Sequence, residues 1–523
     1  MQLRRRPWLH LLAVSLLSWG CSSKPTPPPD PETPTPEWDG TAVPLEELGD
    51  VIDAGTPSAC GTLADAGPGV ECGDLAAFDL SGCNRASLAQ VPAVGIFQGG
   101  VGSVAMQGDA GTFVSGLRGE LYRDATSLHA SMTYVTKRNF HIRTAIAACE
   151  APNPDLVKVC VATCRDGKLM FLDRGDLNRI GKVDNQQPVS EGGINLASES
   201  YVAMGEPVDV YVTHDHAYVV SIDGLEGTGG LTIFDVRDRA HPVFKKQIRM
   251  DGDSYWNAVW ATGDTLYIGS NSHGVLVYDI HDPANPQYLR AVGGDTINVH
   301  TFFVDGDILY AMSPMPAPSV FVFDIKKPNE PVLLQKIVIP LSPTAYPTAY
   351  PHDAFAYQGR LYVNNILDGY VILDVTNPSV STELGAYRFE GSLSHANAVG
   401  TFAGRTIAFE GGEGIATHLR LLDVTDPAHI VKIGEYQLGN SSIHNMILRG
   451  KRLYVAYYQE GVRVLDVSNP TQPKEIARYS TYRDTDPFRV GNFLEGSIGM
   501  RVPGDGFVYV VDTSRGLLIF NEL

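Results

Sequence analysis

Four histidines stand at matching places in this chain. His300, His352 and His444 each lie nine residues before a leucine, Leu309, Leu361 and Leu453, that begins a short apolar run. Asn257 stands in the same relation to Leu266, and His395 sits near the same place, where an extra stretch before Ile407 breaks the count. Neutral imidazole is a ligand for zinc, copper, nickel or iron, and ligands from separate segments can enclose one ion. Asp353 and Asn445, each one residue further on, can orient such rings. A polar residue repeated at one register also has a structural use, bonding backbone carbonyls of a neighbouring unit.

The elements that must carry these residues are legible in one unit, His444 to Ser480. His444-Asn445-Met446-Ile447-Leu448 reads as a strand, Arg449-Gly450-Lys451 as a turn, and Leu453-Tyr454-Val455-Ala456 as a second strand. Gln459-Glu460-Gly461 turns again, Val462 to Val467 is a third strand stopped by Ser468-Asn469-Pro470, and Glu475 to Tyr479 is a fourth. No stretch within it has the length and 3.6-residue period of a helix. One four-stranded antiparallel sheet cannot cover both its faces; repeated around an axis, each sheet covers the next, which is a β-propeller. The first strand is then innermost, and the histidines converge at the mouth of the central channel.

The third strand of each unit ends in a recurring phrase: GLTIFDVRDRAHP at Asp235, GVLVYDIHDPANP at Asp279, SVFVFDIKKPNEP at Asp324, GYVILDVTNPSVS at Asp374, LRLLDVTDPAHI at Asp423 and GVRVLDVSNPTQP at Asp466. These aspartates are expected as structural turn residues, each carboxylate bonding the following backbone, while the proline blocks further pairing. The phrase resembles the LVIVD repeat, a β-propeller repeat of secreted and cell-surface bacterial proteins, over roughly Val208 to Leu523. Two weaker copies flank the clear ones: Lys168 to Asp173, and Gly516 to Asn521, with Asn521 at the Asp position. Counting both gives an all-β propeller of four-stranded antiparallel blades, with eight blades favoured over seven. The longer gap from Asp173 to Asp235 is assigned to an insertion at Asn185 to Tyr201. The last copy stops after its third strand, so an N-terminal strand is expected to close the last blade.

The chain opens with Arg4-Arg5-Arg6 and an apolar stretch, Trp8 to Leu17, too short to span a bilayer as a stable helix. The end of this signal, Leu17-Ser18-Trp19-Gly20-Cys21, resembles the lipobox of bacterial lipoproteins, which implies lipidation of Cys21 after cleavage. Ser22 is not the aspartate that resembles an inner-membrane retention signal, which implies an outer-membrane address. The expected layout is a signal at 1–21, a Pro-rich tether at 22–58 in extended polyproline II form, a partly irregular Cys-containing segment at 59–120, and propeller from 121 to 523, with clear repeats from 208. With Cys21 lipidated, six cysteines are left in two trios, Cys60, Cys72, Cys83 and Cys149, Cys160, Cys164. Odd trios require at least one disulfide between them if all pair, and an exported protein permits it.

The formal net charge of −19 argues against nucleic acid as a partner. Gly224 to Gly230 is glycine-rich but precedes no helix, so it is a loop rather than a phosphate cradle. Ser342 to Pro351 doubles a Thr-Ala-Tyr-Pro phrase that either presents Tyr346 and Tyr350 to a partner or packs on the rim. No Gly-x-Ser-x-Gly, His-Glu-x-x-His or Walker motif occurs. The expected protein is a monomeric, membrane-anchored binding scaffold for an envelope or extracellular protein or a small ligand. Its membrane contact is through the lipid alone, it needs no certain cofactor, and no catalytic residue is assigned. The alternative is a metal-dependent enzyme, with a divalent ion among His300, His352, His395 and His444.

Overall fold

The computed structural model describes residues 37–523 apart from 51–57, 64–65, 100, 107–110, 116, 136–139, 181–189, 224–228, 294–296, 344, 347, 390–391, 415–416, 439–440, 484–485 and 487–493. The signal, Cys21 and residues 22–36 lie outside the described residues, as does most of the Gly224–Gly230 loop. None of the described helices is long and apolar enough to cross a membrane.

Among the described residues, the repeats form seven antiparallel blades, not eight. Their first strands are Glu206–Thr213, Trp256–Thr262, Thr301–Asp305, Tyr350–Tyr357, Ser394–Phe402, Asn445–Arg449 and Ser497–Arg501, which define blades 1 to 7. Each first strand contacts the next, and the seventh contacts the first, so the ring closes around an axis. Second and third strands carry the apolar faces that stack blade on blade: Leu231 and Ile233 pack with Leu266 and Ile268, and Leu465 with Leu421, all fully buried. Fourth strands such as Val243–Ile248 lie at the rim and are largely exposed.

The strand Leu196–Ser200 pairs antiparallel with Gly516–Asn521 and supplies the outer strand of blade 7. Just before it, Ser190–Glu191 adds a fifth strand to blade 6 against Lys474–Tyr479. The ring therefore closes with sequence from both of its ends. Closure pairs an edge that would otherwise expose unsatisfied backbone groups.

The eighth blade fails for a reason of length and pairing. Lys168 to Asp173 is the start of a thirteen-residue strand, Lys168–Ile180. It pairs with Leu156–Arg165 on one side and Gly95–Gly99 on the other, and Asp173 faces Val161 in mid-strand rather than ending at a turn. Together with the strands between, these form a closed eight-stranded barrel spanning Gly95 to Ile180. The propeller accordingly begins at Ser190, not at 121. The barrel has its own core, including Val104, Val114, Ile146 and Val159. The opposite face of its central strands carries Ala145, Ala147 and Ala162, small residues that admit the segment from Ser58 to Gln90. Three disulfides among the described residues, Cys60–Cys160, Cys72–Cys164 and Cys83–Cys149, clip that segment down, each joining one trio to the other.

Part of the stretch read as a tether also packs. Trp38 is buried in the core of blades 5 and 6. Leu45 donates its backbone N–H to Lys432 at 2.9 Å. Glu47 and Asp50 reach the fully buried Arg420 of blade 5 at 2.9 and 2.8 Å.

Candidate functional site

The first strands share an irregularity that aims one side chain at the axis. In blade 4 Pro351 pairs with Asn365 and Asp353 with Asn364, so His352 is an extra residue opposite none. Blades 2 and 5 repeat this bulge at Asn257 and His395. In blades 3 and 6 the backbone N–H of His300 and His444 reaches the carbonyl of Met312 and Ala456, the residues already paired with Thr301 and Asn445. Such a bulge turns its extra side chain out of the pleat. Blade 1 places Val208 at this position and blade 7 Ile498, near a shift of register.

The four imidazoles therefore meet. Ring centres of His300 and His352 lie 4.3 Å apart, those of His352 and His395 3.9 Å, and those of His395 and His444 4.7 Å. The Nε2 atoms of His300 and His352 are 2.7 Å apart. His395 and His444 turn Nδ1 to a backbone carbonyl of the next blade, His444 O and Ile498 O, each at 3.0 Å. Asn257 does the same through its amide to His300 O at 3.0 Å. In His395 and His444 the structural bond is thus made by Nδ1, whereas His300 and His352 use Nε2 on each other. With Nδ1 donating its proton, Nε2 of the neutral ring is a lone pair directed elsewhere.

Burial lowers the basicity of every ring. It pushes His395 down to about 4 and, with repulsion from His395, His300 and His444 down to about 3. His352 is held well below the ordinary range by burial and by its three neighbours. At neutral pH all four are uncharged, the form that binds metals.

Glu413 was not visible as a site residue in the sequence. It lies in the loop between the second and third strands of blade 5, and antiparallel strands return this loop to the end of the blade where the first strand begins. Its Oε2 is 3.4 Å from His395 Nε2. One ligand atom from each of His395, Glu413 and His444 falls within 4.8 Å of the others. Tyr458, from the corresponding loop of blade 6, donates its hydroxyl to Glu413 Oε1. Its backbone is left-handed (φ 38°), and a Cβ at Gly496 would lie 2.2 Å from its carbonyl, so a glycine is required there. Of the Thr-Ala-Tyr-Pro pair, Tyr350 joins the mouth with its ring centre 5.9 Å from that of His352, whereas Tyr346 is half exposed. Asp353 and Asn445 accept from Ala354 and Met446 N–H at 2.8 and 2.7 Å and line the same chamber as His352, His395 and His444.

The recurrent aspartates are far from this chemistry. Asp235, Asp279, Asp324, Asp374, Asp423 and Asp466 each accept from the backbone N–H two residues on, at 2.8 to 3.2 Å. Asn521 instead accepts from Asn195 N–H at 2.7 Å, binding the end of the last blade to the closing segment.

No curated protein matches the sequence. Among solved structures, a computationally designed protein, Ika8, is 11% identical with a TM-score of 0.40, over 75% of this chain and 95% of its own. The WD40 β-propeller domain of Doa1 is 12% identical with a TM-score of 0.46, over 63% and 98%. A chain of a mitotic checkpoint complex is 12% identical with a TM-score of 0.44, over 66% and 99%. Residues 204–249, 255–292, 357–388 and 443–481 match the family described as LVIVD repeat, and they fall on blades 1, 2, 4 and 6. The chain carries LVIVD repeats and folds them as blades of a seven-bladed β-propeller.

Proposed function

We propose that the protein is an extracytoplasmic binding propeller whose channel mouth holds a divalent transition-metal ion. His395, His444 and Glu413 are the ligands, and His300 and His352 complete the cluster. One observation carries this reading: the Nε2 lone pair of a neutral, buried His395 faces a carboxylate oxygen of Glu413 at 3.4 Å. Two acceptors in that position repel, and a cation between them converts the repulsion to coordination. Bonds of about 2.0–2.2 Å place neighbouring ligand atoms about 3–4 Å apart; His395 and Glu413 are at 3.4 Å, and the three ligand atoms together lie within 4.8 Å. The Nδ1 bonds of His395 and His444 to backbone carbonyls are the outer support that metal-ligating histidines use. Imidazole nitrogens with one carboxylate suit zinc, copper, nickel or iron rather than calcium or magnesium.

Metal analysis of protein loaded with Zn(II) or Cu(II) and freed of excess tests this. One equivalent, lost in the His395→Ala, His444→Ala double variant, is expected. A folded wild-type protein that retains no metal and shows no thermal shift on loading overturns it. The disulfides indicate an oxidising compartment. For the anchor we propose lipidation at Cys21, which predicts that Cys21→Ala loses radiolabelled fatty acid and leaves the membrane fraction; labelling that persists would sink it.

A further inference from the structure

Beside the histidines the channel holds a chamber of about 130 Å³, lined in part by His352, His395 and His444. Its floor is set three residues further along the first strands. Tyr211, Trp260, Phe303 and Phe355 from blades 1 to 4 form a chain of ring contacts, with centres 5.5, 5.3 and 4.7 Å apart. Blade 7 places Arg501 at this level. Its guanidinium carbon lies 5.0 Å from the Tyr211 ring centre and 4.4 Å from that of Trp260, two blades away, so the side chain reaches past blade 1.

Arg501 is held by rings on its faces, and two buried carboxylates, Asp209 and Asp353, share its chamber. Among the described residues its Nε is buried without a hydrogen-bond partner, and Nη2 makes a long 3.5 Å contact to Val259 O. Both carboxylates already accept backbone hydrogen bonds, Asp209 from the N–H groups of Val210 and Val259 at 2.8 and 3.1 Å and Asp353 from that of Ala354 at 2.8 Å. A fixed guanidinium with an unfilled donor is a site for a planar oxyanion, which such a fork binds through two parallel hydrogen bonds. At about 130 Å³ the chamber suits a small anion rather than a large one.

We infer that this chamber takes a small carboxylate-type oxyanion, of the size of acetate or bicarbonate, between Arg501 and the metal site. The inference rests on the proposed metal centre for one of the two groups that hold the anion, and on Arg501 for the other. A guanidinium on one side and the proposed metal on the other attract an anion, against the two carboxylates, Asp209 and Asp353, that share the lining. Bound there, the anion touches both the fork of Arg501 and the wall that carries the metal ligands, so it is the co-ligand or substrate of that metal.

Acetate and bicarbonate are titrated into full-length, zinc-loaded protein by calorimetry, with metal content measured on each sample. Saturable binding to the wild type is expected, weakened at least about tenfold in Arg501→Gln with zinc unchanged, and weakened less in Arg501→Lys, which keeps the charge but not the fork. Equal affinity in a folded Arg501→Gln or Arg501→Lys protein, or no binding to the wild type, overturns the chamber. The two readings fail separately. If the wild type holds no zinc, the metal centre falls, and Arg501-dependent binding by metal-free protein then supports the chamber alone, while its absence removes that too.

Discussion

At the scale of single residues, the same side-chain types do opposite work. The repeated carboxylates close turns locally, while one unrepeated carboxylate, Glu413, faces the histidine of its own blade at the channel mouth. Asp423 shows the first role: it is buried, accepts from Thr425 N–H at 3.1 Å and from its hydroxyl at 2.6 Å, and pairs with Arg405. Asp423→Ala is expected to cost about 1–3 kcal/mol, and Asp423→Asn, which keeps an acceptor for the turn, less than half of that. Urea unfolding of both variants checks the order, and equal losses would mean the ion pair rather than the turn bond is what stabilises this position. The turn role was legible in sequence because donor and acceptor are two residues apart. The histidine register was legible because it is counted from a core leucine in the same blade. Glu413, Tyr458 and Arg501 were not, since each comes from a loop or strand end without a repeat and acquires its neighbours only when the ring closes.

At the scale of elements, the segment Trp38–Asp50 acts as a strap over blade 5. Arg420 receives Glu47 on two atoms at 2.9 Å and Asp50 at 2.8 Å, with Glu410 at 3.4 Å and the Phe389 ring centre at 4.1 Å. Burial opposes the charge on Glu47 and Asp50, but their hydrogen bonds and attraction to Arg420 outweigh it and leave both acids stronger than usual; His418 adds to this at Asp50. Glu410, buried without comparable partners, is pushed up to about 7. The signs differ. Glu47 and Asp50 have folded values below their unfolded ones, so their stabilisation is complete above the ordinary carboxylate range near pH 4 and is lost as pH falls through their lowered values. Glu410 is raised, so its contribution is present below about pH 4 and is lost as pH rises toward 7. Thermal midpoints measured from pH 3 to 8 are expected to peak between these limits, and Glu47→Gln with Asp50→Asn should flatten the acid limb. An unchanged acid limb would remove the strap from the stability of the propeller. Removing Arg420 strands buried carboxylates and is expected to cost about 3–5 kcal/mol. The expectation of a tether across 22–58 rested on composition, and proline-rich sequence gives no sign of a partner supplied by a distant blade.

At the scale of the whole molecule, two bodies with separate cores share one chain. All cysteines precede residue 165, so reduction acts on the barrel and not on the propeller. Losing one native disulfide typically costs about 2–5 kcal/mol. Calorimetry with and without reductant should therefore show one transition moving down and another staying fixed; a single transition moving as a unit would mean the two cores unfold together. Deleting Gly516 to Leu523 removes the buried Leu517, Leu518, Ile519 and Phe520, worth about 1.5–3 kcal/mol each, and opens the ring. Loss of cooperative folding of the propeller is expected, and an unchanged midpoint would contradict the shared last blade. Blade architecture was readable because each unit repeats its own strand pattern, but the blade count was not. Lys168 to Asp173 has the alternation of a third strand, and alternation records only that a strand has two faces. What makes it a barrel strand is its length and the partner at Gly95–Gly99, both invisible in a six-residue phrase.

The strap also decides where a mechanical load goes. A pull on the chain from its N-terminal side meets blade 5 at Trp38–Asp50 first, then the disulfide-clipped barrel, and only afterwards the closing strand Leu196–Ser200. The seam of the ring, the one place where it would unzip strand by strand, is thereby shielded from tension by two earlier anchor points. A strand that completes the circle would otherwise be the first to peel, and here it is the last in line.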